Sequence, residues 1–137
     1  MIQRLSHTNL YVLDQDAALD FYVNKLGFEV RMDAKMDGGF RWLTVGPKAQ
    51  PDLQIILMKV DGPNLPLDAA NTLKGLLSAG KLCGGAFHTA DCRKTYEELK
   101  AKGVTFISPP KDQFYGVEAV LKDNSGNWFS MTEPKSS

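Results

Sequence analysis

The chain contains two histidines, His7 and His88, and each lies in a short segment of alternating polar and apolar residues. Such alternation predicts a β-strand, in which every second side chain faces the same way. His7 then shares a face with Asn9 and Tyr11, and His88 shares one with Gly84. An imidazole is suited to proton transfer near neutral pH. We therefore expect the histidines to contact a ligand or a metal ion or, as the alternative, to hydrogen-bond core groups or water.

Two further predicted strands present a similar mixture of side chains. Gln54, Ile56 and Met58 share one face of a strand, and Trp128 and Ser130 share one face of another. Apolar and aromatic walls with a few polar groups are typical of a small-molecule pocket. The predicted lining of such a pocket contains His7, Asn9, Tyr11, Gln54, Trp128 and Ser130. Burial of Trp128 in the core is the alternative, and no nucleophile with a base and an orienting group supports covalent catalysis.

The elements that position these residues occur twice. Residues 7–27 read HTNLYVLDQDAALDFYVNKLG, and residues 84–103 read GGAFHTADCRKTYEELKAKG. Each segment is an alternating strand, an aspartate suited to cap a helix, an amphipathic helix and a terminal glycine. Aligning Asp14 with Asp91 brings the histidine that opens the first segment opposite a glycine in the second. The repeat therefore predicts two similar modules with different chemistry at their first positions.

Further strand patterns complete each module. They lie at 28–32, 40–45 and 53–60 after the first helix, and at 104–107, 117–122 and 128–133 after the second. We expect Pro109-Pro110 to break the chain. We also expect the sequence DNSGN, residues 123–127, to form a tight turn, because glycine and asparagine are suited to positive φ.

The predicted fold class is α+β, with two tandem βαβββ modules whose curved mixed sheets surround a cleft. The predicted modules span 1–60 and 81–137, and a linker with a short helix spans 61–80. One helix covers one face of each sheet, so the other faces are available to form the cleft.

The amino-acid composition argues against several classes of function. Lys plus Arg and Asp plus Glu each number 16, so the zero formal charge argues against nucleic-acid binding. No apolar run approaches the ~20 residues of a membrane span, and no signal peptide is apparent. The two cysteines, Cys83 and Cys92, lack the spacing of a metal site. We expect a cytoplasmic protein with free thiols.

Three stretches resemble the vicinal oxygen chelate superfamily, which includes glyoxalases, bleomycin-resistance proteins, fosfomycin-resistance enzymes and extradiol dioxygenases. They are HTNLYVLDQDAALDFYVNKLGFEV, ADCRKTYEELKAKGV and YGVEAVLKDNSGNWFSMTEP, and the resemblance covers essentially the whole chain. It implies a homodimer in which modules from two chains complete two clefts. Fold does not fix reaction, because this superfamily hosts many chemistries and some proteins that only bind.

In metal-using members of that superfamily, four inward positions ligate one divalent ion. The matching residues here are His7, Gln54, Gly84 and Ser130. His7 is a good ligand and Gln54 a weak one, whereas Gly84 has no side chain and Ser130 is a poor ligand. Since a catalytic metal needs about three protein ligands, we expect no cofactor. The alternative is one divalent metal ion held by His7 and Gln54.

The leading hypothesis is a protein that binds a small molecule, similar to the antibiotic-sequestering members. Tyr115 and Glu118 lie near the cleft mouth in the family alignment, and Glu118 then either receives a cationic ligand group or faces solvent. One alternative is a metal-dependent enzyme of glyoxalase or dioxygenase type, acting as a lyase, isomerase or oxidoreductase with an atypical ligand set. Another is a metal-free lyase or isomerase with His88 as the catalytic base.

Overall fold

A computed structural model describes residues 1–136, which form eight strands and three α-helices. In chain order they are β1 (His7–Val12), α1 (Gln15–Leu19), β2 (Glu29–Lys35), β3 (Arg41–Gly46), β4 (Gln54–Lys59), α2 (Leu67–Ser78), β5 (Cys83–His88), α3 (Cys92–Ala101), β6 (Thr105–Gln113), β7 (Gly116–Lys122) and β8 (Trp128–Pro134). The chain divides into two compact units, Met1–Gly75 (unit one) and Leu76–Ser137 (unit two), and the division falls inside α2. Among the described residues, no helix has the length and apolarity needed to cross a bilayer.

Unit one is a mixed four-stranded sheet with the order β1-β4-β3-β2. β1 runs parallel to β4, and the remaining pairs are antiparallel. The register places His7 beside Gln54 and Tyr11 beside Met58. Unit two repeats this arrangement with the order β5-β8-β7-β6. The predicted α+β class and the two tandem four-stranded modules are therefore confirmed.

The core of unit one follows the alternation of its strands. Leu10, Val12 and Leu57 are buried, as are Phe21 and Tyr22 from the helical segment that follows β1. Burying such side chains stabilises the fold by about 1.5–3 kcal/mol each. These residues define the covered face of the sheet, so the alternate residues of β1 and β4 lie on the face opposite α1.

The helix after β1 begins as predicted and continues differently. The Asp14 carboxylate accepts a hydrogen bond from the Ala17 amide at 2.9 Å, which makes Asp14 the N-cap. After α1 the backbone changes to a π-helix over Asp20–Lys25. Gly27 then has φ +80°, the left-handed conformation expected at a helix end. Hydrophobic spacing alone predicts one continuous helix here and does not show the π-helical segment.

Unit two buries Leu121, Phe129 and Met131 on the face that α3 covers. The Tyr96 ring of α3 packs edge-on against Phe106 of β6 at 4.6 Å. Asp91 caps α3 by accepting a hydrogen bond from the Lys94 amide. Trp128, Ser130 and Thr132 alternate with the buried residues of β8 and so lie on the face opposite α3.

Strand β6 corrects the prediction that Pro109-Pro110 breaks the chain. The strand runs through both prolines from Thr105 to Gln113, but its pairing with β7 shifts register once before them and again across them, between Ser108 and Lys111. β6 is the last strand of its sheet order. Proline is tolerated in an edge strand because one side of the strand donates to no neighbour.

The DNSGN turn is held by one buried carboxylate. Oδ1 of Asp123 accepts hydrogen bonds from the amides of Ser125, Gly126 and Asn127, each at 2.9 Å. Oδ2 accepts from the Asn127 side chain at 3.0 Å. Gly126 has φ +113°, as expected, but neither Asn124 nor Asn127 has a positive φ. Asn127 therefore serves the turn through hydrogen bonds from its side-chain and backbone amides and not through a left-handed conformation.

Candidate functional site

The face opposite α1 in unit one carries the predicted residues His7, Asn9, Tyr11 and Gln54. His7 and Asn9 are exposed, and Tyr11 and Gln54 are half-buried. The parallel register places His7 next to Gln54. Nδ1 of His7 lies 3.0 Å from the Ser6 hydroxyl, so this ring nitrogen has a polar partner. The structure therefore brings all four predicted residues of unit one onto one sheet face.

Sequence reasoning missed Trp42 and Thr44, two residues of β3 on the same face. The Trp42 and His7 rings lie 6.2 Å apart and are tilted by 47°. Thr44 is fully buried, and its hydroxyl donates to Oε1 of Gln54 at 2.8 Å. The alternation of β3 could have identified both residues. Leu43 and Val45 form the apolar set of this strand, so Trp42 and Thr44 lie on its opposite face.

Apolar side chains complete this face. The Asn64 amide donates to Sδ of Met58 at 3.4 Å, and Ile56 lies between Asn9 and Thr44 in the register. Met32 of β2 pairs with Thr44 and is 50% exposed. The face thus combines the indole of Trp42, the imidazole of His7 and the thioethers of Met32 and Met58 with the Gln54 amide, which Thr44 holds in position. Such a mixture is typical of a small-molecule site.

A separate cavity of about 370 Å³ lies in unit one. Its lining includes Gln15, Phe40, Arg41 and Lys59, and none of the predicted site residues. Gln15 is held there by hydrogen bonds to the carbonyls of Arg41 and Leu57. The cavity is therefore distinct from the face that carries His7.

In unit two, the predicted Ser130 belongs to a hydrogen-bonded cluster on β7 and β8. Its hydroxyl donates to Oε2 of Glu118 at 2.5 Å, and Tyr115 donates to Oε1 at 2.5 Å. Ser130 also lies 3.2 Å from the Thr132 hydroxyl. The hydrogen bonds from Ser130 and Tyr115 lower the pKa of Glu118, and the Glu118 carboxylate raises the pKa of Tyr115. Glu118 is thus held as a carboxylate.

His88 and Trp128 lie on the same face of unit two as this cluster. His88 is exposed and pairs with Thr132, which in turn pairs with Glu118. Trp128 is half-buried at the other end of β8 and pairs with Cys83 and Lys122. The predicted residues of unit two therefore line one face, with His88 nearer the carboxylate in the register.

Comparison with known proteins decides the family. A family model described as the glyoxalase/bleomycin resistance protein/dioxygenase superfamily matches residues 4–131. The chain belongs to this superfamily. The resemblance found in the sequence, whose broader name is vicinal oxygen chelate, is thereby confirmed.

Three similar proteins match this chain over nearly its whole length. The Bacillus subtilis protein YurT is 39% identical over 92% of this chain and 95% of its own length. The crystal structure of UcmS2 has a TM-score of 0.92 and 45% identity, covering 97% of this chain and 99% of that one. That of TnmS3, an antibiotic binding protein from Streptomyces sp. CB03234, has a TM-score of 0.76 and 29% identity, with 98% coverage of both chains.

The metal-ligand positions of the superfamily carry a donor set that does not fit a divalent ion. A Cβ atom at Gly84 would overlap the Phe129 ring, so this position has no room for a ligating side chain. The Ser130 hydroxyl donates to Glu118, and Gln54 already accepts from Thr44. Within residues 1–136, no group of three or more His, Cys, Asp or Glu side chains is arranged to hold a metal.

The position of Gly84 also corrects one detail of the predicted strand. The pairing of β5 with β8 shifts register between Cys83 and Gly85, which inserts an extra residue as in a β-bulge. Simple alternation placed Gly84 on the same face as His88. That prediction is wrong at Gly84, because the bulge turns this residue toward Phe129 of the buried face.

Proposed function

We propose that this protein binds a small apolar or aromatic molecule and acts by sequestering it. The observation that carries the proposal is the face opposite α1, where Trp42, His7 and Met32 offer aromatic and thioether surface beside the fixed amide of Gln54. An indole supplies a large contact area and stacks on planar ligands. The similarity of this chain to TnmS3, an antibiotic binding protein, supports this class of function.

The residues proposed to contact a ligand are, in unit one, His7, Asn9, Tyr11, Gln54 and Trp42 and, in unit two, Tyr115, Trp128 and Ser130. We propose that binding proceeds without a firmly held metal ion, because the donors at the superfamily's ligand positions are incomplete or already engaged. The enzymatic alternatives, including His88 as a base, have no specific geometric support beyond the exposure of His88. A cytoplasmic homodimer remains part of the proposal.

The test uses 2-naphthalenemethanol as a neutral aromatic probe. Its affinity is measured by titration calorimetry, and its contacts are monitored by the indole NMR signals of Trp42 and Trp128. Trp42→Ala is expected to weaken probe binding about tenfold, since an aromatic contact of this kind contributes about 1.4 kcal/mol. The matched control is Tyr96→Phe, which alters an aromatic ring that packs between α3 and β6. An unshifted Trp42 signal together with unchanged affinity in Trp42→Ala would overturn the proposed site.

A further inference from the structure

The carboxylate of Glu118 is oriented by two neutral donors. The hydroxyls of Tyr115 and Ser130 each bind a different oxygen of the carboxylate, so both of its oxygens are fixed in position. Each oxygen keeps a second acceptor site, because a carboxylate has about four lone-pair sites. The group is therefore preorganised and still able to accept further hydrogen bonds.

The negative charge of Glu118 has no cationic partner within its unit. In residues 76–136, no lysine, arginine or histidine nitrogen lies within 4 Å of the carboxylate. Lys111 is its neighbour in the β6–β7 ladder and makes no ion pair with it. Hydroxyl donors orient a carboxylate without neutralising its charge, and Glu118 is half-buried, so a cation placed beside it would gain more than at a fully exposed site.

Aromatic surface lies next to this carboxylate. Tyr115, which donates to Glu118, packs edge-on against Phe114 with ring centroids 5.0 Å apart. Phe114 is 88% exposed and Tyr115 is 40% exposed. An organic ammonium group is attracted both by a carboxylate and by the face of an aromatic ring. A metal ion is less well matched, because within residues 1–136 no cluster of three ligating side chains surrounds Glu118.

We propose that Glu118 binds a protonated amine of the ligand, so that the protein selects aromatic or apolar amines. This inference rests on the proposed function and adds the charge of the ligand to it. Tyr115 and Ser130 act as positioning residues that hold the carboxylate, and the exposed rings of Tyr115 and Phe114 contact the carbon skeleton next to the amine.

The experiment compares two probes of nearly equal shape, 2-naphthylmethylamine, which is protonated at pH 7, and neutral 2-naphthalenemethanol. Calorimetry on the full chain is expected to show the amine binding at least about fivefold more tightly than the alcohol. In Glu118→Gln, which keeps the shape and an acceptor oxygen, this preference is expected to fall within about twofold, while affinity for the alcohol is unchanged. Glu97→Gln on α3, an exposed residue, is the control and is expected to retain the preference.

The outcomes separate the two proposals. Equal binding of both probes to the unmodified protein, or a preference that persists in Glu118→Gln, would overturn the amine site and leave aromatic binding intact. Failure of both probes to bind would overturn the proposed function and the amine site with it. Tyr115→Phe provides a second variant if Glu118→Gln does not fold. It removes only a donor hydroxyl and is expected to reduce the preference for the amine without abolishing binding of the alcohol.

Discussion

The two units repeat one strand order, yet they differ at the strand that opens each sheet. β1 pairs with β4 without interruption and displays His7, whereas β5 is interrupted at Gly84, where Phe129 fills the space of a side chain. The duplicated backbone therefore imposes the same topology on both halves without imposing the same side-chain chemistry. Ligands at corresponding positions cannot be transferred from one unit to the other by the repeat alone.

The charged groups of the two units differ in a similar way. In unit one, Arg41 pairs with Asp16 and with Asp33 at 2.7 and 2.8 Å. In unit two, Glu118 is held by the neutral hydroxyls of Tyr115 and Ser130. Arg41 is thus paired with carboxylates of its own unit, whereas Glu118 is held by neutral donors and makes no ion pair within residues 76–136.

The largest expected effect compares two glycines: an added Cβ would meet backbone at Gly126 in unit two and open space at Gly27 in unit one. Gly126→Ala would place a Cβ against the carbonyl oxygen of Leu77 as well as strain a backbone with φ +113°. We expect a loss of about 3 kcal/mol or more in the free energy of unfolding, measured by urea denaturation. The matched control is Gly27→Ala in unit one, which has φ +80° but nothing within 4 Å of the added atom. Its expected cost is about 1–2 kcal/mol, and equal costs for the two variants would contradict a role for the overlap.

The second expected effect compares two aspartates that accept backbone amides. Asp123→Ala removes a buried acceptor of three amides, so it should destabilise the protein by about 3 kcal/mol. Asp14→Ala in unit one removes an exposed acceptor of a single amide and should cost about 1 kcal/mol. Thermal and urea denaturation of both variants measure the difference. A smaller loss for Asp123→Ala than for Asp14→Ala would show that the turn does not depend on its carboxylate.

A third experiment tests directly why the units differ at their first strands. Gly84→Ala should cost about 1–3 kcal/mol, because the new methyl group meets the Phe129 ring. Combining it with Phe129→Leu should recover part of that cost relative to Phe129→Leu alone. A double-mutant cycle of unfolding free energies measures this coupling. Additive costs would indicate that the backbone at the bulge, and not the ring, excludes a side chain.

The smallest expected effect compares a carboxylate held by a charged donor, Asp33, with one held by neutral hydroxyls, Glu118. The hydrogen bond from Arg41 lowers the pKa of Asp33, and those from Ser130 and Tyr115 lower the pKa of Glu118. A carboxyl group with a lowered folded pKa stabilises the protein above its ordinary pKa, and this contribution is lost as the pH falls through the lowered value.

The partly exposed Asp33 pair contributes less than about 1 kcal/mol. Asp33→Asn should therefore cost little at pH 7 and less still at about 0.5 M salt, since salt screens exposed ion pairs. Urea denaturation of Asp33→Asn and Glu118→Gln at low and high salt makes the comparison. The cost of Glu118→Gln should depend less on salt because its partners are uncharged, and an equal salt dependence would contradict this distinction.

Much of the fold is predictable from the sequence, because alternation and helix caps are local properties. Leu10 and Val12 are buried where alternation places them, and Asp14 and Asp91 cap their helices. The DNSGN turn is also where composition predicts it. These features depend on interactions between residues that are close in the sequence, so local patterns identify them.

The remaining features depend on contacts between distant segments. The bulge at Gly84 reflects the bulk of Phe129, which lies 45 positions later in the chain. Trp42 becomes a candidate only once β3 is known to lie beside β4, and the role of Glu118 depends on its pairing with β8. None of these neighbours is apparent before the order of strands is known. The site was therefore predicted as a face, and its particular partners were not.

The proline pair in β6 bears on how this chain behaves at high concentration. An edge strand normally offers a row of free amides to which a strand from another molecule can add. Pro109 and Pro110 have no amide hydrogen, and the register shifts around them interrupt the regular spacing of the remaining donors. Uncontrolled extension of the second sheet from molecule to molecule is thereby discouraged, which helps the protein remain dispersed.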